Sequence, residues 1–356
     1  MNIACIQMDI AFGAPEKNKQ TVGRYMEQMA RDVDVVVLPE LWTTGYDLTR
    51  LTDIADEDGE ETKTFLSELA RTYDVHIVGG SVAKKVADNI TNTMYVVNRN
   101  GDVVCEYSKL HLFKLMDEHL YLQAGETTGL FSLGETTCAG VICYDIRFPE
   151  WIRAHTLHGA EVLFVVAEWP LARLHHWRTL LMARAIENQC YIVACNRAGK
   201  DRNNEFAGHS MIIDPWGNVL AEGDEQEAVI KATIDIHEVQ RVRARIPIFS
   251  DRRPDVYKIF EKKRLTNEHK AMYDSNQANS RNVFTIKNIQ ITINTLIKSR
   301  WRDEPDEARQ PAITHGANSC SSRLRDKRCE ANFKPLSFSE RGFLFMSREE
   351  FVCTNR

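Results

Sequence analysis

The stretch VDVVVLPE, residues 33–40, constrains the fold more than any other part of the chain. A nearly continuous apolar run with β-branched bias reads as a strand buried on both faces. EVLFVVAEW (161–169) and YIVACNRA (191–198) repeat the pattern. Segments with apolar residues at helical spacing lie between such runs: APEKNKQTVGRYMEQMARD (14–32), then roughly Glu60–Tyr73, Pro149–His158 and Arg173–Asn188. IACIQMDI, VHIVGGSVAKKV, NTMYVVNRNGDVVCEYSK and TTCAGVICYD read as further strands, with a hairpin turn at NRNGD. FAGHSMIIDPWGNVLAEGDEQEAVIKATID reads as three short ones. Strands interleaved with helices predict an α/β domain whose sheet is covered by helices.

This texture stops at RRPDVY (252–257), and so does the charge balance. From Lys258 to Arg356 there are 19 Lys and Arg against 12 Asp and Glu, +7, which leaves −12 on the residues before. The sequence therefore divides into a domain over 1–257 and an atypical basic tail over 258–356, expected to be disordered. The tail reads as a solvated extension, either lineage-specific or the product of a misread frame or missed stop. The acidic body is not that of a nucleic-acid binder.

The start, MNIACIQMDI, has no secretory character, and no apolar run approaches the ~18 residues of a membrane span. A cytoplasmic protein is expected, with no membrane or nucleic-acid partner. Nine scattered cysteines without a CxxC pair suggest neither a disulfide framework nor a zinc site.

Three reactive residue types stand where strands run into loops: Glu40 in VVVLPELW, Lys109 in EYSKLHLF and Cys143 in GVICYD. Taken singly, each has a plainer reading. A carboxylate after a strand caps or pairs, a lysine is solvated, and a free thiol is a common inert core residue.

Together, in order, the segments LPELW, YSKLHLF, CYDIRFPE, ARAIENQ and GHSMIIDPWG resemble the nitrilase superfamily, the carbon–nitrogen hydrolases, over residues 1 to about 257. The resemblance implies a four-layer α-β-β-α sandwich, a homodimer joined through helical layers, a Glu40–Lys109–Cys143 triad and no metal or organic cofactor. Cys143 would attack an amide carbonyl after passing its proton to Glu40. Lys109 and the Tyr144 backbone N–H would hold the oxyanion. Glu118, in KLMDEHLYLQAG, matches the second glutamate many members carry, which would orient Lys109 and tune Glu40; otherwise it is a surface residue in a helical turn.

Asp145, Arg147 and Glu150 read as fixing the turn after the nucleophile, and His111 as support for the lysine loop. Arg184, Glu187 and Asn188 read either as pinning their helix to that region or as a salt-bridged face.

ELWTTGYDL, DEHLYLQAG and AEWPLARLHHW look like bacterial ω-amidases, which implies 2-oxoglutaramate or 2-oxosuccinamate as a small-molecule substrate. Such a substrate carries a carboxylate opposite its amide. Arg173 is the candidate cation for it, unless it merely opens its helix on the solvent side. Trp42, Tyr46 and Trp169 are the candidate apolar walls. The alternatives are another activity of the superfamily, such as N-carbamoyl-amide or aliphatic amide hydrolysis, and a silent scaffold of the same fold.

Overall fold

The computed structural model describes residues 1–28 and 32–261, with side chains of the last helix described to Tyr257. The tail expected over 258–356 lies, past Glu261, outside the described residues.

In the first half, β1 (Asn2–Gln7), α1 (Pro15–Gln28) and β2 (Val35–Val37) are followed by α2 (Leu51–Ile54), β3 (Asp56–Glu57), α3 (Glu60–Tyr73), β4 (His76–Val86), β5 (Asn89–Val97), β6 (Val103–Ser108) and α4 (Glu118–Tyr121). The second half holds β7 (Leu130–Leu133), β8 (Thr136–Ile142), α5 (Pro149–Leu157), β9 (Val162–Ala167), α6 (Leu174–Asn188), β10 (Tyr191–Asn196), β11 (Met211–Ile213), β12 (Val219–Glu222), β13 (Ala228–Thr233), α7 (His237–Arg245) and α8 (Pro254–Glu261).

Two sheets form. One runs β13-β1-β2-β4-β5-β6 with β3 beside β4, and the other runs β12-β11-β10-β9-β8-β7. Each is built around a parallel trio, β1-β2-β4 and β8-β9-β10, continued by antiparallel strands, with the short β3 parallel to β4. Helical crossovers within each trio place α1 and α3 on one sheet and α5 and α6 on the other.

Side-chain alternation builds the layers. Ile3 and Cys5 of β1, with Val35 and Val37 of β2, face a core shared with Phe164, Val193 and Cys195 of the second sheet. Ile6 and Val36 face the other way, onto Val22 and Met26 of α1 and Leu66 and Ala70 of α3. Across the seam the Cys195 thiol donates to the carbonyls of Ile6 (3.3 Å) and Val37 (3.4 Å). The architecture is the expected four-layer α-β-β-α sandwich.

The VDVVVLPE run yields only three paired residues, because the chain leaves the sheet at Pro39, which has no N–H to donate. Gly80 lets it leave at that point. Its φ is +59°, and a Cβ there would collide with the Pro39 carbonyl. The sequence reading passed over β7 and α7. It also placed its boundary at 257, inside α8, a helix that opens on Pro254.

Candidate active site

Glu40, Lys109 and Cys143 leave the ends of β2, β6 and β8 and converge. Past β2 the chain turns through Leu41, whose φ is +40° and whose N–H donates to Ser81 Oγ at 2.9 Å. Lys109 is held at both main-chain groups: its N–H donates to the Asn92 carbonyl at 2.8 Å and its carbonyl accepts from Gly125 at 2.9 Å. Glu118 opens α4 after the left-handed Asp117, and its Oε2 accepts the Phe113 N–H at 2.7 Å, which closes the intervening loop.

Glu40, Lys109 and Glu118 have no solvent-exposed surface. Lys109 Nζ donates to Glu118 Oε1 at 2.6 Å and to Glu40 Oε1 at 2.8 Å. Burial opposes the ammonium, yet the charges of Glu118 and Glu40 hold the lysine pKa well above its ordinary value. Burial pushes the Glu118 carboxyl up, Lys109 pulls it down, and Glu40 raises it further.

The Tyr46 hydroxyl donates to Glu118 Oε1 at 2.6 Å and approaches Glu40 Oε1 at 3.2 Å. Burial and both carboxylates raise its pKa, so it remains a phenol able to donate. Asn92 adds another donor to Glu40 Oε1 at 2.8 Å, while Glu40 Oε2 accepts the backbone N–H of Glu168 at 2.9 Å.

Cys143 is 4% exposed and left-handed, with φ +46°, a conformation that a non-glycine residue keeps only when its surroundings hold it. Asp145 does the holding. Its Oδ2 accepts from the Ile142 N–H (3.1 Å) and the Tyr107 hydroxyl (2.8 Å), and its Oδ1 accepts from the His111 N–H (3.0 Å). The His111 ring lies 2.8 Å from the same oxygen, which ties the lysine loop to the cysteine turn. Arg184 Nε donates to the Ile146 carbonyl at 2.9 Å, pinning α6 to that turn. Tyr144 follows at the start of a 3-10 turn, where the first N–H groups have no acceptor within the turn.

Burial drives the Cys143 pKa well above that of a free thiol. Glu40 raises it further, and Lys109 only partly opposes them. The resting group is a thiol, so attack on a carbonyl requires a base to take its proton. Glu40 is the carboxylate whose charge raises the thiol pKa most.

A narrow, partly open pocket adjoins the thiol, lined by Phe113, Met116, Cys143, Tyr144, Arg147, Glu168, Trp169, Pro170 and Arg173. A wider groove between α1 and α3 is lined by Glu16, Lys17, Arg24, Glu60 and Glu68, a solvated charged face without a nucleophile.

The predicted walls divide. Trp169 lines the cavity, with its indole N–H donating to the Arg173 carbonyl at 2.8 Å. Tyr46 acts through its hydroxyl on the carboxylates rather than as an apolar wall. The expectation for Trp42 is corrected: its indole turns inward, donates to the Gly79 carbonyl at 2.7 Å and packs on Phe65 in the core beneath α3.

Arg173 reaches the cavity, its guanidinium 5.5 Å from the Phe113 ring centre. Arg147, read from sequence as a turn-fixing charge, is there too, 4.6 Å over the Trp169 ring. Neither arginine makes an ion pair among the described residues. Asn92 and Glu168 were not anticipated. Their signal was a polar residue within a buried strand and a second carboxylate at the end of one. Among the described residues no three His, Cys, Asp or Glu side chains converge into a metal-binding group.

A buried thiol, two buried carboxylates and an ammonium thus gather at the strand ends, beside the pocket that Cys143 and Tyr144 line. The chain belongs to the carbon–nitrogen hydrolase family, whose model matches residues 2–244. It is 54% identical over 255 residues to a 2-oxoglutaramate amidase of Bacillus subtilis, covering 72% of this chain and 98% of that one. It is 34% identical over 271 residues to a 2-oxoglutaramate amidase of Paenarthrobacter nicotinovorans, covering 72% and 91%. A solved structure from Xanthomonas campestris, a CN-hydrolase superfamily protein with an arsenic adduct in its active site, superposes with TM-score 0.67 at 31% identity, covering 71% and 97%.

Proposed function

We propose that this enzyme hydrolyses 2-oxoglutaramate, or the shorter 2-oxosuccinamate, to the 2-oxo dicarboxylate and ammonia. The reading is carried by the two guanidiniums, Arg147 and Arg173, that share the Cys143 cavity without carboxylate partners among the described residues. A planar cation suits a carboxylate at the far end of a short amide. Relatives that bear the name 2-oxoglutaramate amidase support it.

In this mechanism Cys143 Sγ attacks the amide carbon as its proton passes to Glu40. Lys109 Nζ and the Tyr144 N–H stabilise the oxyanion. Glu40 returns the proton to the nitrogen, ammonia leaves, and a thioester remains. Glu40 next takes a proton from water, whose oxygen attacks the thioester carbon. The acid departs, and Sγ recovers the proton. Glu118 and Tyr46 hold Lys109 and Glu40 in register, and Trp169 packs against the substrate.

We assign this chemistry to residues 1–257 and place it in the cytoplasm, where the six described cysteines would keep their free thiols. We further propose a homodimer through the outer face of α6, where exposed Ile186 lies against the turn that carries Trp216. Light scattering on the purified protein reads the assembly.

Ammonia release from 2-oxoglutaramate by the wild type and by Cys143→Ala tests the activity. Release from a carbamoyl compound or an unsubstituted aliphatic amide, with none from the oxo-acid amide, would replace the substrate. No release from any amide would leave the scaffold reading.

A further inference from the structure

Behind Glu40 lies a second buried ion pair. Glu168 Oε2 and Arg197 Nη1 are 2.7 Å apart, with no exposed surface on either side chain. Arg197 is fixed in turn: Nη2 donates to the Ile10 carbonyl (2.8 Å) and Asp9 Oδ1 (3.1 Å), and the guanidinium lies 4.2 Å over the Phe206 ring. The same guanidinium backs the turn after Glu40, with Nη1 3.5 Å from where a Cβ on Gly45 would stand.

A buried ion pair is a poor device for stability alone, since apolar residues of the same volume do as well or better. Its placement is informative. Glu168 is the residue whose backbone N–H donates to Glu40 Oε2. Glu40 Oε1 already accepts from Lys109 and Asn92, which leaves Oε2 as the oxygen with a lone pair open for proton exchange.

We propose that Glu168 and Arg197 are positioning residues for the reaction, whose ion pair fixes the amide that aims Glu40 Oε2 at the proton being moved. The proposal rests on the reading of Glu40 as the base for Cys143. With an activated ester, the step most exposed to a misplaced base is thioester hydrolysis, because the attacking water must lose a proton while the ester's own leaving group departs without one.

The test uses p-nitrophenyl acetate, a substrate independent of the natural amide. Cys143 Sγ passes its proton to Glu40 and bonds to the acetyl carbon, p-nitrophenolate departs with the electron pair, and Glu40 yields the proton to solvent. Water, deprotonated by Glu40, then releases acetate and restores the thiol. In Glu168→Ala, hydrolysis per acylated site is expected to slow about 30-fold, as for a group that helps only in the transition state. Acetyl-Cys143 then accumulates, visible by intact-mass spectrometry. In Glu168→Gln, whose amide oxygen still accepts from Arg197, the loss is expected to be only about threefold.

A purely structural role would lower the folded fraction, and with it the number of sites acylated, but would leave hydrolysis per acylated site at the wild-type rate in both variants. That result overturns the proposal. Absence of acetyl-Cys143 and of p-nitrophenolate release in the wild type itself would instead overturn the nucleophile assignment, and the proposal with it.

Discussion

Lys109 Nζ and Glu118 Oε1 meet at 2.6 Å with neither side chain open to solvent, nine residues apart in sequence and on opposite sides of a loop that Glu118 closes. The glutamate thus both orients the cation and fastens its loop. Glu118→Gln keeps the shape and the bond to the Phe113 N–H but removes the charge. We expect kcat to fall about 100-fold with little change in KM, as for an interaction strengthened in the transition state. Glu118→Ala leaves Lys109 short of a partner and should cost about 3–5 kcal/mol in urea unfolding.

The Cys143 thiol gives a pH dependence of defined sign. Burial and the Glu40 charge hold its pKa well above the free-thiol value, so wild-type alkylation by iodoacetamide should still be rising with pH past the ordinary thiol range. Glu40→Gln removes the negative charge and leaves Lys109 as the dominant neighbour, which lowers the thiol pKa. The alkylation profile should move to lower pH in that variant while amide turnover falls by about a thousandfold or more for want of a base. Mass-spectrometric alkylation rates from pH 6 to pH 10, set beside ammonia release, check both halves.

Recognition of the carboxylate is read by comparing substrates. Arg147→Ala and Arg173→Ala should each raise KM for 2-oxoglutaramate about 10- to 100-fold, the usual worth of a charge-assisted contact, and leave KM for an uncharged amide of similar length nearly unaltered. Equal effects on both substrates would count against the assignment.

Trp42 behaves as a core residue under substitution. Trp42→Ala should lower stability by about 3–5 kcal/mol through the cavity it leaves. Trp42→Phe gives up mainly the indole bond to Gly79, and should keep KM unchanged because the side chain does not line the substrate cavity. Thermal unfolding together with steady-state kinetics separates these outcomes.

Glu40, Lys109, Cys143 and Glu118 were legible in the sequence because each is a reactive type at a strand or helix terminus, in an order and spacing shared with a known family. The parallel cores were legible from continuous β-branched runs. Trp42 misled because it neighbours Glu40 along the chain, and a residue beside a turn can point either way. Arg147 was hidden inside a cluster of charge in which another member, Asp145, does hold the turn. Glu168 and Asn92 act through partners 128 and 52 residues away, across strand ends, and no local pattern carries such a pairing.

Glu40 and Lys109 belong to strand ends of one sheet and Cys143 to a strand end of the other, so the groups proposed to react bridge the apolar seam that Cys195 crosses. Turnover is therefore a gauge of how the two halves of the sandwich dock. A slip along that seam too small to break any strand's own hydrogen bonds would part Glu40 from Cys143, and the enzyme would fall silent while its secondary structure stayed whole.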